Sequence, residues 1–314
     1  LLCRFAAAVG GAHAQPSLWA WFSRADGGCS ALVEAWRAHP ELHAAGALLP
    51  LVGHFGAGHL TPLVLNVLPR HLTKPAAFYG FLLELMPMVG ASEMKEELRE
   101  GEGLERMLER AAQSASGGSA DSAARGLALD FLASLWMIYP HELQAIRIGA
   151  DPTTVVAASR AADEESSPVD TDDGPLNGVS SVLHELKRAC RDADFEIQLT
   201  AHAALFRLLN HFATTDSYAA PILFKVLAFS LIENHHEPIL RNFLSRNMQL
   251  ALAMQPRIPV GVLLKPLVKQ ATLYGYNNTD FDFFVVLAKH ERLGLRHALL
   301  MLQFLGKVCL NDAL

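Results

Sequence analysis

Histidine is the residue type in this chain with the widest choice of chemistry, because fourteen of the 314 residues are histidines. The one adjacent pair, His235-His236, is poorly placed to chelate an ion, because consecutive side chains on a helix point about 100° apart. His54 and His59 flank a glycine-rich turn without an acidic or thiol neighbour in the sequence, which favours a structural role. No HExxH motif is present. The histidine pattern therefore predicts no metal centre.

Motifs for phosphate binding and nucleophilic catalysis are also missing from the sequence. The segment Gly53–Gly58 reads GHFGAG, which lacks GxGxxG spacing, and neither a GxxxxGK[ST] loop nor a GxSxG elbow occurs. Asp280 and Asp282 are two residues apart and do not face one another on a helix, so Thr279 and Asp280 are interpreted as a helix start. We therefore expect a protein that is not an enzyme and binds no metal and no cofactor.

The four cysteines, Cys3, Cys29, Cys190 and Cys309, are scattered without CxxC spacing. Most of them stand in apolar helical context, which is typical of buried free thiols in a reducing compartment. The expected location is cytoplasmic. The chain opens Leu-Leu-Cys-Arg and ends Asn-Asp-Ala-Leu, which favours a piece of a longer protein.

Helical spacing of apolar residues dominates the first half of the chain, whereas strand signals are sparse. The longest stretch without Asp, Glu, Lys or Arg, Leu42 to Pro69, could span a bilayer of about 30 Å. Its prolines, glycines and histidines instead predict two short buried helices, broken at Gly56-Ala57-Gly58. The predicted helices are Leu1–Val9, Pro16–Ser23, Ser30–Ala38, Leu42–Phe55, Leu60–His71, Pro75–Val89, a charged pair within Ser92–Gln113, and Ala120–Tyr139.

The helical pattern stops between residues 149 and 178. Ala161 to Asp173 contains six acidic residues and no base, and prolines flank its acidic clusters. Such a segment cannot bury enough apolar area to offset the entropy of ordering it. The predicted domains are residues 1–148 as N-terminal helical repeats, 149–178 as an acidic flexible linker, and 179–314 as C-terminal armadillo-like repeats.

The last third of the chain divides into amphipathic segments of about twenty residues, which begin near Phe195, Ser217, Glu237, Pro259, Thr279 and Leu293. Alternate segments recur about 42 residues apart, the period of two-helix armadillo or HEAT units. At this offset apolar residues align in five pairs: Phe206 with Met248, Leu208 with Leu250, Phe212 with Met254, Ile222 with Leu264, and Val226 with Val268. The predicted fold is all-α, an armadillo/HEAT-like α-solenoid of stacked helix pairs. Its expected core includes Phe206, Leu209, Phe229, Leu263 and Phe284.

Four stretches of this region have the apolar spacing of armadillo-like helical domain proteins: FEIQLTAHAALFRLLNHF, APILFKVLAFSLIENH, PVGVLLKPLVKQ and FDFFVVLAKHERLGLRHALLMLQFLGKVCLND. At these residues the chain resembles that class and, more faintly, the large helical-repeat proteins of ciliary axonemes. The resemblance implies a helical scaffold, and its fainter part implies a location in the axoneme of a cilium or flagellum. The ladder of Asn and Trp residues used for peptide binding in the importin manner is not present.

Positive charge is concentrated near the end of the chain. Ile239 to Lys307 carries nine bases against three acids, while the whole chain has a formal net charge of −6. Repeated positions of a solenoid line up along one face, so these bases are candidates for a ridge that binds an acidic partner, although a solvated helix face is the simpler alternative. The candidate partner-binding residues are Arg241, Arg246, Arg257, Lys265, Lys269, Arg292 and Arg296.

These features together favour a noncatalytic protein-interaction scaffold in a large cytoskeletal or ciliary assembly. Its expected partners are other proteins of the complex, such as tubulin or an acidic protein segment, and no membrane. Nucleic acid is a weaker candidate, because the aromatic residues do not alternate with the bases as stacking platforms would. The alternatives are a helical regulator of an enzyme such as a small GTPase and a helical repeat that binds nucleic acid.

Overall fold

The computed structural model of the protein describes residues 15–39, 44–56, 58–100, 103–117, 121–146, 177–215, 219–234 and 237–254, with the isolated positions 298, 299, 302, 303 and 306. Of the described residues 84% are helical, and none of them lies in a strand. The predicted all-α class is confirmed at this level. The finer prediction, a solenoid of stacked helix pairs, stays a prediction. The chain divides into two compact units, Leu1–Ala189 and Cys190–Leu314.

The first unit contains ten helical elements among its described residues. They are α1 Gln15–Phe22, α2 Gly28–Ala38, α3 Leu48–Phe55 after a 3₁₀ turn Ala44–Ala47, α4 with segments Leu60–Pro62, Leu63–Val67 and Leu68–His71, α5 Pro75–Gly90, α6 Lys95–Arg99, α7 Gly103–Ser116, α8 Ser122–Ile138, α9 Pro140–Ala145 and α10 Gly178–Ala189. Each predicted helix from Pro16 to Tyr139 overlaps one of these elements. The predicted helix Leu1–Val9 lies outside the described residues, and neither α9 nor α10 is among the predicted helices.

Helices α5 and α8 form the centre of this unit. Pro75 occupies the first turn of α5, where its missing N–H costs nothing. The carboxylate of Asp121 accepts hydrogen bonds from the backbone N–H groups of Ala123 and Ala124 and so caps α8. Between the two helices the rings of Tyr79 and Phe131 lie 5.7 Å apart, and both are buried. Local start signals therefore set where these helices begin, and their apolar side chains hold them together.

The described residues of the uncharged stretch, 44–56 and 58–69, form short helices on either side of the glycines, as predicted. Gly56 and Gly58 have φ angles of +98° and +85°, values that residues with a Cβ rarely adopt. The middle segment of α4 is a π-helix, in which the N–H of Leu68 bonds to the carbonyl of Leu63. Pro69 lacks the N–H that would continue an ordinary helix there. Among the described residues, no helix combines the length and the apolarity needed to cross a bilayer.

Helix α10 belongs to the first unit, although the sequence grouped residues 179–314 together. The N–H of Gly178 bonds to the carbonyl of Ile146 at 3.1 Å, and Gly178 packs against Leu108 and Leu143. Val179, Val182, Leu186 and Ala189 form its buried face. Of the flexible linker predicted at residues 149–178, residues 177 and 178 are described, and Gly178 already begins α10. The rest, including the acidic segment of residues 161–173, lies outside the described residues. The position of the acidic segment in the sequence therefore does not show with which of the two units α10 packs.

The described part of the second unit consists of α11 Phe195–Thr214, α12 Ala219–Glu233 and α13 Pro238–Met254. Each of the three helices contacts the other two. Their starts agree to within two residues with the segments predicted near Phe195, Ser217 and Glu237. The later predicted segments lie outside the described residues, apart from the five isolated positions.

The predicted core of the second unit is correct for Phe206 and Leu209, which are both buried. Phe229 is only half-buried, because it lies toward the surface of α12, where the Lys225 ammonium is 5.6 Å from the centre of its ring. Leu263 and Phe284 lie outside the described residues. Of the pairs aligned at an offset of 42 residues, Phe206 and Met248 are both buried, whereas Leu208 is buried and Leu250 is exposed. The repeat itself stays a prediction.

Candidate functional site

In the described part of the second unit, the densest cluster of buried polar groups is centred on His202. This residue lies on the inner face of α11 and is completely buried. Its Nδ1 is 2.6 Å from the carbonyl oxygen of Gln198, and its Nε2 is 2.5 Å from the hydroxyl oxygen of Ser230 on α12. A carbonyl oxygen can only accept, so Nδ1 carries the proton and Nε2 accepts from the Ser230 hydroxyl.

Asn234 completes this cluster one turn after Ser230. Its Nδ2 donates to the Ser230 hydroxyl at 3.2 Å and to the Ser230 carbonyl at 2.9 Å. The hydrogen bonds therefore run in one direction, from Asn234 to Ser230, from Ser230 to His202, and from His202 to Gln198. A continuous chain of this kind satisfies the His202 imidazole and the Ser230 hydroxyl, which the helix interface buries.

A hydroxyl that donates to a neutral imidazole is also the starting geometry of a serine nucleophile and its general base. Burial lowers the pKa of His202 to about 4, against a smaller opposing effect of its hydrogen bond to Gln198, so the ring is neutral at pH 7. However, only 6% of Ser230 is exposed, and both residues lie inside the packed helix pair. The geometry therefore fits a polar connection between α11 and α12 better than a site that a substrate could enter.

Sequence reasoning did not single out His202 or Ser230. The two residues are 28 positions apart and belong to no recognised motif. The one available signal was the apolar periodicity of α11, which places His202 on the same face as Leu205 and Leu209. That signal predicts a buried histidine but cannot identify its partner on another helix.

The two described cysteines agree with the prediction of buried free thiols. Cys29 and Cys190 are both buried and form no disulfide. Burial raises the pKa of each thiol to about 12, so the reactive thiolate is scarce at neutral pH. Cys3 and Cys309 lie outside the described residues.

The other residues considered for chemistry have separate surroundings. His59 stacks on Trp19, with ring centres 4.4 Å apart, and His54 is exposed. His235, His236, Asp280 and Asp282 lie outside the described residues. In the part of the chain that the structure describes, no group of three or more His, Cys, Asp or Glu side chains is placed to hold a metal ion.

The predicted partner-binding residues can be followed on α13, which carries two of them. Arg241 is only 3% exposed and turns toward the interior, beside the buried Leu240 and Leu244. Arg246 lies on the surface. The other predicted residues, Arg257, Lys265, Lys269, Arg292 and Arg296, lie outside the described part of the chain. Of the predicted ridge, Arg246 is therefore exposed and Arg241 is buried.

The surface around Arg246 is apolar as well as basic. Ile239 is 69% exposed and Leu250 is 52% exposed, and Asn242 lies at the surface between them. At about 100° per residue, these positions and Arg246 fall within an arc of about 80° on one side of the helix. We call this set of four residues, Ile239, Asn242, Arg246 and Leu250, the α13 stripe.

In comparisons with protein-family models, curated proteins and solved structures, nothing matches this chain.

Proposed function

We propose that this chain is a noncatalytic protein-interaction scaffold, built from helices and held within a larger assembly. The observation that supports the proposal is the α13 stripe, in which two large apolar side chains stand in solvent on either side of an arginine. Single exposed apolar residues are ordinary, but apolar residues grouped on one helix face are typical of surfaces that bind other proteins.

The buried polar groups favour the same proposal. The clearest nucleophile and base pair among the described residues, Ser230 and His202, joins two helices inside the packed interior. Both described thiols are buried with raised pKa values. The groups best suited to chemistry are thus used in packing, whereas the apolar and basic groups of α13 are at the surface.

The assembly we propose is cytoskeletal or ciliary, and its acidic component is the first partner to test. The support is the excess of bases over acids between Ile239 and Lys307, together with the exposed Arg246. Acidic protein surfaces, including those of microtubules, attract such a region, and the attraction weakens as salt shortens the Debye length to about 8 Å at 0.15 M.

The experiment is affinity purification of the full-length protein, with identification of the subunits that remain bound, followed by co-sedimentation with microtubules at low salt. A triple variant, Arg246→Glu with Lys265→Glu and Lys269→Glu, should lose co-sedimentation while its circular dichroism stays unchanged. Arg241 is left intact, because reversing a buried charge would disturb folding. If the full-length protein retains no specific protein partner, the scaffold proposal is wrong.

A further inference from the structure

We infer that the α13 stripe binds an acidic amphipathic helix of a partner protein, through apolar contacts at Ile239 and Leu250 and an ion pair at Arg246. The inference rests on the proposed scaffold function and specifies the chemistry of its partner. Three properties of the stripe lead to it: its shape, its polarity and the availability of its one charge.

The shape of the stripe fits a second helix. Its residues follow one another at spacings of three, four and four, which makes a continuous ridge along the surface of α13. From Ile239 to Leu250 this ridge is about 17 Å long at 1.5 Å per residue, equal to three turns of a partner helix. Ridges with four-residue spacing pack into the grooves of another helix.

The polarity of the stripe requires a partner that is itself amphipathic. Ile239 and Leu250 expose their side chains at its two ends, while Asn242 and Arg246 lie between them. A wholly polar acidic chain would leave both apolar ends in water, and a wholly apolar helix would bury Arg246 without a counter-charge, which is costly. A helix that presents apolar residues at its ends and a carboxylate between them satisfies all four positions.

Arg246 is available for such a carboxylate. No acidic residue belongs to the stripe, and among the described residues the ion pairs join other side chains, with Glu233 bound to Arg191. The exposed base of the neighbouring helix differs in this respect, because the Lys225 ammonium already lies over the Phe229 ring. A guanidinium can bind a carboxylate through two parallel hydrogen bonds, which fixes the partner's position along the stripe.

The test uses three labelled peptides of about eighteen residues, measured by fluorescence anisotropy with the full chain. The first is an amphipathic helix of Leu, Ala and Glu, the second has Lys in place of every Glu, and the third is a scrambled sequence with the composition of the first. We expect the first peptide to bind at least about 10-fold more tightly than the other two at about 0.05 M salt, and less tightly at about 0.3 M.

Variants of the chain then assign the binding to the stripe. Arg246→Glu should weaken binding of the acidic helix about 3- to 10-fold and strengthen binding of the Lys peptide, because the sign of the contact is reversed. The double variant Ile239→Ser with Leu250→Ser should weaken the binding of both the acidic peptide and the Lys peptide more than about 10-fold. Lys187→Glu and Trp21→Ser are the matched controls, because they change an exposed base and an exposed apolar side chain of the first unit.

Equal binding of the acidic helix and the scrambled peptide would overturn the inference, because charge alone would then be sufficient. Unchanged binding by Arg246→Glu or by the double variant would overturn it too. If neither variant loses the subunits that co-purify with the full-length protein, the assignment of the α13 stripe as the binding surface is wrong, and the scaffold proposal stands. The scaffold proposal itself fails only if the unmodified protein retains no partner.

Discussion

The hydroxyl of Ser230 donates a hydrogen bond to Nε2 of His202 across the interface of α11 and α12, with the two atoms 2.5 Å apart. The same imidazole donates from Nδ1 to the carbonyl of Gln198 on its own helix. Both nitrogens are therefore satisfied in an interior where water does not reach them. Because an unpaired buried polar atom costs more than a hydrogen bond contributes, this contact makes the packing of the two helices specific.

Removing the hydroxyl in Ser230→Ala should destabilise the second unit by about 1 to 3 kcal/mol, since Nε2 of His202 and the amide of Asn234 each lose a partner. Hydrogen exchange measured by mass spectrometry should be faster in α11 and α12 of this variant than in the unmodified protein. Exchange in α5 and α8 should stay unchanged. Ser116→Ala is the control, because its hydroxyl bonds to a nearby backbone carbonyl at the exposed end of α7. Equal exchange in the two variants would show that the buried network contributes little.

His202 should make the second unit sensitive to acid. Its pKa is about 4 in the fold, below the ordinary value of 6.5, so the unfolded chain binds more protons between these two pH values. The free energy of unfolding of the second unit therefore keeps the His202 contribution in full above pH about 6.5. It decreases by about 3 kcal/mol in total as the pH falls toward about 4.

The pKa of His202 can be measured by NMR titration of the histidine ring protons, with His202→Gln to assign its signal. The expected midpoint lies below pH about 5. The free energy of unfolding of His202→Gln should depend less on pH in this window than that of the unmodified protein. A midpoint near 6.5 would mean that the ring is not buried as a neutral group.

The thiols of Cys29 and Cys190 should resist alkylation in the folded protein. Both are buried, and a pKa of about 12 leaves little thiolate at neutral pH. Iodoacetamide followed by peptide mapping should leave both residues unmodified in buffer and modify both in concentrated urea. Rapid alkylation of either thiol in buffer would show that its helix opens readily.

Gly178→Ala should loosen α10 from the first unit. A Cβ at this position would lie 2.7 Å from the carbonyl oxygen of Leu143 and 3.1 Å from the Leu108 side chain, so the backbone must shift. The expected cost is about 1 to 3 kcal/mol, measured by urea unfolding with α10 exchange as the local readout. Gly53→Ala is the matched control, because nothing lies within 4 Å of its added Cβ and alanine favours a helix. Similar stability of the two variants would contradict the packing of α10 described above.

The sequence alone determined where most described helices begin and end, because the signals for this are local. Pro75 can occupy a first helical turn, Asp121 caps the next amide groups, and Gly56 and Gly58 accept φ angles that other residues avoid. Each effect depends on the residue and its immediate neighbours along the chain. The same reasoning gave the all-α class, since apolar spacing near 3.6 residues indicates helices.

Only the tertiary structure decided what each helix face meets. Arg241 and Arg246 have the same charge and share one helix, but they point about 140° apart, so Arg241 is buried and Arg246 is exposed. Similarly, the partner of His202 is 28 residues away on α12. Helix α10 packs within the first unit, although the long acidic segment separates it from α9 in the sequence. Helical periodicity repeats within one segment, whereas burial and hydrogen-bond partners depend on which segments come together. For this reason most of the described helices could be predicted from the sequence, and the His202 cluster and the α13 stripe could not.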